Sequence, residues 1–275
     1  MFNLPNLFTA GNLICGVLAI ILTMAGRIDL APFAIFGGAF LDFFDGFLAR
    51  KLKVDGELGK QLDSLADVVT FGVAPGLLMM AVIVVSIYPE DRIAGEFASN
   101  VHFQLQNWMN AVFYGVPNNM NASIKFLPFW GLLIPFFSMF RLAKFNIDTA
   151  QTSSFIGVPT PLNALFFTFF PLCLWMNFPE WTLSNPWYIF LFNPFVLVAF
   201  VIGMSLMLIA PLPLFALKFK SFGWKGNEIR YSFLALSIAM IPFLMVWAIP
   251  LIVFLYLILS VAEALFKKQQ HEIQS

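Results

Sequence analysis

The sequence predicts an all-α integral membrane protein, a polytopic bundle of about eight transmembrane helices with both termini in the cytoplasm. Three observations carry this. Hydrophobic residues make up 60% of the 275 residues and charged residues only 11%, where a soluble domain carries about 25% charged residues. The mean hydropathy is +0.85, and a soluble surface has no place for 35 phenylalanines. Apolar runs of bilayer length also recur along the chain, divided by polar breaks.

The expected spans lie near 5–25, 30–50, 60–87, 126–146, 158–177, 190–217, 230–246 and 248–266. The first, from Leu4 to Ala25, holds no charge. It lacks the basic leader and small-residue cleavage site of a signal peptide, so a retained helix is expected. The second and third spans flank a short polar loop, Lys51–Leu58, with Asp55-Gly56 as its turn. The segment Tyr88–Lys125 is the one sizeable loop; its Phe97, Phe103, Leu105, Trp108 and Phe113 predict a helix lying at the membrane interface. Trp181, Trp187 and Tyr188 mark another outer boundary as an aromatic belt. The stretch Tyr231–Phe266 exceeds the roughly 20 residues of one crossing. Pro242 and Pro250 bracket a hairpin within it.

Charge sets the orientation. With the N-terminus inside, all of the 15 basic residues except Arg27, Arg92 and Lys125 fall on cytoplasmic segments, as the positive-inside rule requires. A net charge of zero argues against a nucleic-acid partner. Cys15 and Cys173 both lie in apolar runs and read as buried apolar residues rather than a disulfide.

Against this background one pattern stands out: Asp42, Asp45, Gly46, Ala49, Arg50, Gly59, Asp63 and Asp67, or D-x2-D-G-x2-A-R-x8-G-x3-D-x3-D. Such an eight-position match arises by chance in roughly 10⁻⁸ of chains this long. Charges inside greasy spans are costly and usually functional. Asp42, Asp45, Gly46 and Ala49 share a face of the second span, and Gly59, Asp63 and Asp67 share a face of the third. The short loop makes these spans antiparallel neighbours, so the two acidic faces can meet near the cytoplasmic side. Two carboxylates about 4 Å apart repel by ~4 kcal/mol at an effective dielectric of 20. Either several are protonated or cations neutralise them, and all-oxygen ligands without His or Cys favour Mg²⁺, Mn²⁺ or Ca²⁺ over zinc. A divalent pair also binds diphosphate. Gly46 and Ala49 leave the helix face bare, and Arg50 offers a bidentate fork for phosphate. Proton or cation transport is the competing reading, but it calls for acids from several spans reaching the midplane.

The pattern from Asp42 to Asp67 resembles, at every defining position, the signature of the CDP-alcohol phosphotransferase family. Four further segments resemble its phosphatidylserine synthase branch: Leu4-Pro5-Asn6 through Thr9 to Asn12, Ser64 to Pro75, Arg141 to Asn146, and Phe155 to Pro161. Together the resemblance covers about residues 3–175. It implies a six-helix core with its site at the cytoplasmic face, usually in a homodimer, and a divalent metal, Mg²⁺ or Mn²⁺, in a two-metal site. The expected division is a core over 1–225 and an added hairpin and tail over 226–275. Carried over by the motif, Asp42, Asp45 and Asp63 are metal ligands, and Asp67 is both a ligand and the general base. Gly46 and Arg50 contact the CDP part of the lipid, and Asn6 and Thr9 fit the first-helix nucleotide contact.

The implied substrates are CDP-diacylglycerol and L-serine, with phosphatidylserine and CMP as products. Arg141 and Lys144, at the cytoplasmic end of the fourth span, are candidates for the serine carboxylate or a phosphate; Ser64 and Asn146 are weaker ones. Glycerol phosphate or inositol phosphate is the alternative acceptor, but an anionic acceptor calls for a denser basic pocket.

Overall fold

The structure, a computed structural model, describes residues 3–52, 54, 56–88, 97–115, 124–147, 154–176, 186–215 and 227–274. Asp55 of the expected turn, Trp181 of the outer boundary, and Lys53, Arg92, Lys218, Lys220 and Lys225 of the charge count lie outside these residues, as do the side chains of Lys267 and Lys268.

Helix α1 (Leu4–Met24) starts where Asn3 caps it, accepting from the Asn6 backbone N–H at 3.0 Å, with Pro5 in its first turn. A proline there sacrifices no helical hydrogen bond. Helix α2 (Ala31–Leu52) returns alongside it. The next run is helical throughout but changes pitch: α3 (Glu57–Asp67) passes into a π-helical segment, Val68–Val73, and then α4 (Ala74–Ile87). Helix α5 (Phe97–Phe113) lies at the far end of the bundle. There Gln104 donates to the Tyr88 carbonyl at 2.9 Å and the Trp108 indole donates to the Lys125 carbonyl at 2.8 Å. Phe97, Leu105 and Trp108 face inward while Phe103 and Phe113 stay exposed, which suits the interfacial helix expected within 88–125.

A 3₁₀ lead-in, Leu127–Leu132, opens α6 (Leu133–Ile147). Helices α7 (Thr160–Met176), the short α8 (Pro186–Leu191) and α9 (Pro194–Ile209) follow. Strands β1 (Ser154–Ile156) and β2 (Pro213–Phe215) pair antiparallel, Phe155 opposite Leu214. This ribbon is a departure from the all-helical expectation. Helices α10 (Glu228–Leu244) and α11 (Ala248–Gln274) are joined by a 3₁₀ turn at Met245–Trp247, where Met245 adopts φ 48°. The Phe233 and Tyr256 rings lie 5.7 Å apart, so these helices double back on one another as the two prolines suggested.

Among the described residues four helical runs are long and apolar enough to cross a membrane: Leu4–Met24, Ala31–Leu52, Glu57–Ile87 and Glu228–Glu263, the last divided by the turn at Met245–Trp247. Thr160–Met176 and Pro194–Ile209 are shorter apolar helices. The multi-pass membrane class follows. Large apolar side chains such as Ile14, Phe43, Leu65 and Phe243 point outward, which suits contact with lipid tails.

The core is centred on α4, whose Leu78, Met79, Val82, Ile83 and Val84 have 0% exposure. Lipid is as apolar as this core, so tight packing rather than the hydrophobic effect holds such helices together. Gly76 of α4 and Gly131 before α6 show it: a Cβ on Gly131 would stand 2.6 Å from the Gly76 carbonyl oxygen, and one on Gly76 3.0 Å from that of Gly131. The crossing is backbone on backbone. Gly131→Val should therefore cost about 1–3 kcal/mol through overpacking, seen as a lower thermal midpoint in detergent. Gly203→Ala in α9, with nothing within 4 Å of the added carbon, should leave the midpoint unchanged or raise it.

Candidate metal centre and nucleotide cleft

The site is built from α1 outward. Asn6, Thr9 and Asn12 recur three residues apart and form a polar stripe on an otherwise apolar helix. Thr9 Oγ1 donates to Asp45 Oδ2 at 2.7 Å, and Asn12 Nδ2 donates to Asp67 Oδ1 at 3.1 Å. One helix thus orients an acid on α2 and another on α3. Asn12 is itself tied back, since Thr70 Oγ1 donates to its carbonyl at 2.9 Å. Thr70 can reach because Gly16 and Gly38 have no side chain to obstruct it; a Cβ on either would collide with it. Thr70 lies in the π-helical segment that starts directly after Asp67. Such wide turns occur often at functional sites.

Asp42, Asp63 and Asp67 each present a carboxylate oxygen, and the three oxygens lie within 4.8 Å of one another. Asp67 is buried, and one oxygen of Asp63 is buried without a hydrogen-bond partner. At 4.8 Å and an effective dielectric of 20, two full charges repel by about 3 kcal/mol. The Arg141 guanidinium lies within electrostatic reach of Asp67 and supplies one positive charge. Lys60 is engaged elsewhere: its Nζ donates to the Asn146 carbonyl at 2.8 Å, at the C-terminal end of α6. Three carboxylates against one guanidinium leave an excess that a divalent cation cancels. The all-oxygen donor set, the orphaned Asp63 oxygen and the missing positive charge all fit such an ion.

Beside the trio a cleft of 560 Å³ is lined by Asn6, Thr9, Asp45, Gly46, Ala49, Gly59, Lys60 and Asp63, with Pro5, Val54, Gly56 and Glu57 at its edges. Nothing lies within 4 Å of where a side chain on Gly46 would begin, so the α2 backbone is open to a ligand there. Asp63 borders both the trio and the cleft, so the candidate metal centre opens directly into that cleft.

The structure therefore brings together Asp42, Asp63 and Asp67, and sets Asp45 beside them against Thr9. Asn6, Thr9 and Gly46 line the cleft. Arg50 is exposed near the end of α2 and does not line the cleft. Arg141 lies within electrostatic reach of Asp67, whereas Lys144 is exposed. Ser64 and Asn146 meet one another, Asn146 Nδ2 donating to Ser64 Oγ at 2.8 Å, and so fasten α3 to α6. Sequence reasoning gave no role to Asn12, Thr70 or Lys60. Asn12 had a signal, since it continues the Asn6–Thr9 spacing; Thr70 had none.

Residues 2–208 match the family model described as CDP-alcohol phosphatidyltransferase. The chain belongs to this family. It is 36% identical over 183 residues to a CDP-diacylglycerol–serine O-phosphatidyltransferase of Bacillus subtilis, covering 63% of this chain and 81% of that protein. It is 29% identical over 167 residues to the Helicobacter pylori protein of the same name, covering 60% of this chain and 55% of that one. An archaetidylserine synthase of Methanothermobacter thermautotrophicus is 28% identical over 165 residues, 59% of this chain and 54% of that protein. The hairpin α10–α11 lies beyond the family match.

The acid trio generates a direct expectation. Mn²⁺ at 100 times its Kd should stabilise the purified protein by about 2.7 kcal/mol, read as a raised thermal midpoint. Asp42→Asn and Asp63→Asn should each abolish the rise. Asn12→Ala should leave Asp67 Oδ1 unpaired at a cost of about 1–3 kcal/mol, read as a lower midpoint in metal-free buffer.

Proposed function

We propose that this chain transfers the phosphatidyl group of CDP-diacylglycerol to the hydroxyl of L-serine, giving phosphatidylserine and CMP. The observation that carries this reading is a carboxylate trio beside a nucleotide-sized cleft, in a member of a family whose similar proteins are named serine phosphatidyltransferases. The acyl chains lie in the bilayer, and the CDP part occupies the cleft against Asn6, Thr9 and Gly46. Arg50, at the mouth, reaches back to a phosphate.

Asp42, Asp45, Asp63 and Asp67 hold the divalent metal, Mg²⁺ or Mn²⁺ in a two-metal site, with Ca²⁺ also compatible with their oxygens. Bound there, the metal stabilises charge on the phosphoryl oxygens and on departing CMP. Asp67 accepts the proton of the serine hydroxyl, whose oxygen attacks the β-phosphorus; the bond from that phosphorus to the CMP oxygen breaks. Asn12 holds Asp67 in place through the 3.1 Å bond. Arg141, close to Asp67, orients the acceptor carboxylate, while exposed Lys144 adds positive potential at the entrance.

The same reading orients the chain. Eight crossings, counted as α1, α2, α3–α4, α6, α7, α9, α10 and α11, leave both termini and the acid site on the cytoplasmic side of the cell membrane. The excess of basic residues on that side supports this. Residues 1–225 form the catalytic core and 226–275 an added hairpin and tail, which the end of the family match at residue 208 supports. A homodimer is the expected assembly on family grounds.

Purified protein supplied with CDP-diacylglycerol and Mn²⁺ or Mg²⁺ should release CMP with serine. Release with glycerol 3-phosphate and none with serine would move the chain to another branch of the family. Asp67→Asn should lower kcat by roughly 10²–10⁴ while the thermal midpoint stays near that of the parent; substantial residual turnover would refute its role as base.

A further inference from the structure

Behind the acid trio, the described residues carry polar groups that the chemistry above leaves unused. Ser138 Oγ on α6, Thr160 Oγ1 and both amide atoms of Asn163 on α7, and Ser205 Oγ on α9 are buried without hydrogen-bond partners. All four residues have 0% exposure. Arg141 Nε is also buried and unpartnered. Folded proteins pair nearly all such groups, and each one left unpaired is destabilising. A bundle gains no stability from keeping five such side chains, so a polar ligand is the economical explanation.

Their placement points the same way. Ser138 and Arg141 are one turn apart and share a face of α6. Ser138 faces the π-helical segment, its Cβ 3.2 Å from where a Cβ on Gly72 would stand, five residues past Asp67. Arg141 lies within electrostatic reach of Asp67 itself. The Val158 N–H donates to the Met207 carbonyl at 3.0 Å, which seats the start of α7 on the last turns of α9. Thr160 and Asn163 follow directly on α7, and Ser205 lies just before Met207 on α9. Both helices pack on α6, and α7 also packs on the π-helical segment. Three helices thus bring their unpaired groups to the end of the bundle that holds Asp67.

We propose that Ser138, Arg141, Thr160, Asn163 and Ser205 form the acceptor pocket, a site for the α-ammonium and α-carboxylate of a small zwitterionic amino acid. This rests on the serine reading above. Arg141 Nε–H, the Asn163 amide N–H and one of the three hydroxyls donate to the carboxylate; the Asn163 carbonyl and the other two hydroxyl oxygens accept the three N–H groups of the ammonium. A zwitterion brings no net charge into a buried site where Arg141 already faces Asp67. A phosphorylated alcohol would bring about two negative charges to a single guanidinium.

The test measures KM for serine, KM for CDP-diacylglycerol and thermal midpoints in the parent, Asn163→Leu and Ser205→Ala proteins. Hydrogen bonds to charged groups are worth about 1.5–3 kcal/mol, so each variant should raise the serine KM by roughly tenfold or more. The KM for CDP-diacylglycerol and the stabilisation by Mn²⁺ should not move. Midpoints without serine should stay or rise, because unpaired groups have been removed. Should Asn163→Leu fail to fold, Ser205→Ala, a one-oxygen deletion, carries the test. An unchanged serine KM in a parent enzyme that does use serine would show a buried water site, overturning the pocket and sparing the serine reading. A parent enzyme that ignores serine overturns both.

Discussion

The fold is arranged around three carboxylates, one buried and two half-buried. Asp42, Asp63 and Asp67 converge within 4.8 Å in a bundle whose other walls are phenylalanine, leucine and glycine. Left alone they repel, and among the described residues Arg141 is the cation that interacts electrostatically with Asp67. The bundle therefore has to hold the acids in place against their own repulsion and leave room for a cation. Helix α1 does the first through Asn12, which holds Asp67, while its Thr9 holds the neighbouring Asp45. The cleft beside Asp63 does the second and, on the proposed function, also takes the CDP part of the lipid.

The holding is done by short neutral bonds and close backbone approach rather than by salt bridges. The Arg27–Asp29 ion pair, 2.9 Å long, lies in the α1–α2 turn at the opposite end of the bundle. Near the acids, Gly16 and Gly38 let Thr70 come close enough to hold Asn12, which in turn holds Asp67. Such a chain of neutral contacts fixes geometry without spending the negative charge that a metal needs. A lysine in place of Asn12 would pair with Asp67 and compete with the cation.

Much of the site was legible because helical spacing is simple. Acids at intervals of four on α3 lie in a line, and a short loop to α2 brings the facing stripe close. Four features were not legible, each for a physical reason. Asp42 and Asp45 are three residues apart, which on a helix leaves them about 60° apart. That is enough for Asp42 to join α3 while Asp45 turns to Thr9. The π-helical segment shifts the backbone hydrogen bonds by one residue and leaves no mark in composition. The β1–β2 ribbon is three residues per strand, too short to show an alternating pattern. Arg50 shares its helical face with Gly46, but periodicity does not tell that α2 ends in solvent there.

The central claim is that the acids form a divalent-metal cage rather than a set of protonated carboxyls. Electron paramagnetic resonance of Mn²⁺ added to the purified protein in detergent, with CDP-diacylglycerol present, tests it most directly. The account predicts tight binding of two Mn²⁺ per chain in the parent protein and loss of the bound signal in Asp63→Asn. Free Mn²⁺ spectra for both proteins at equal concentration would contradict it.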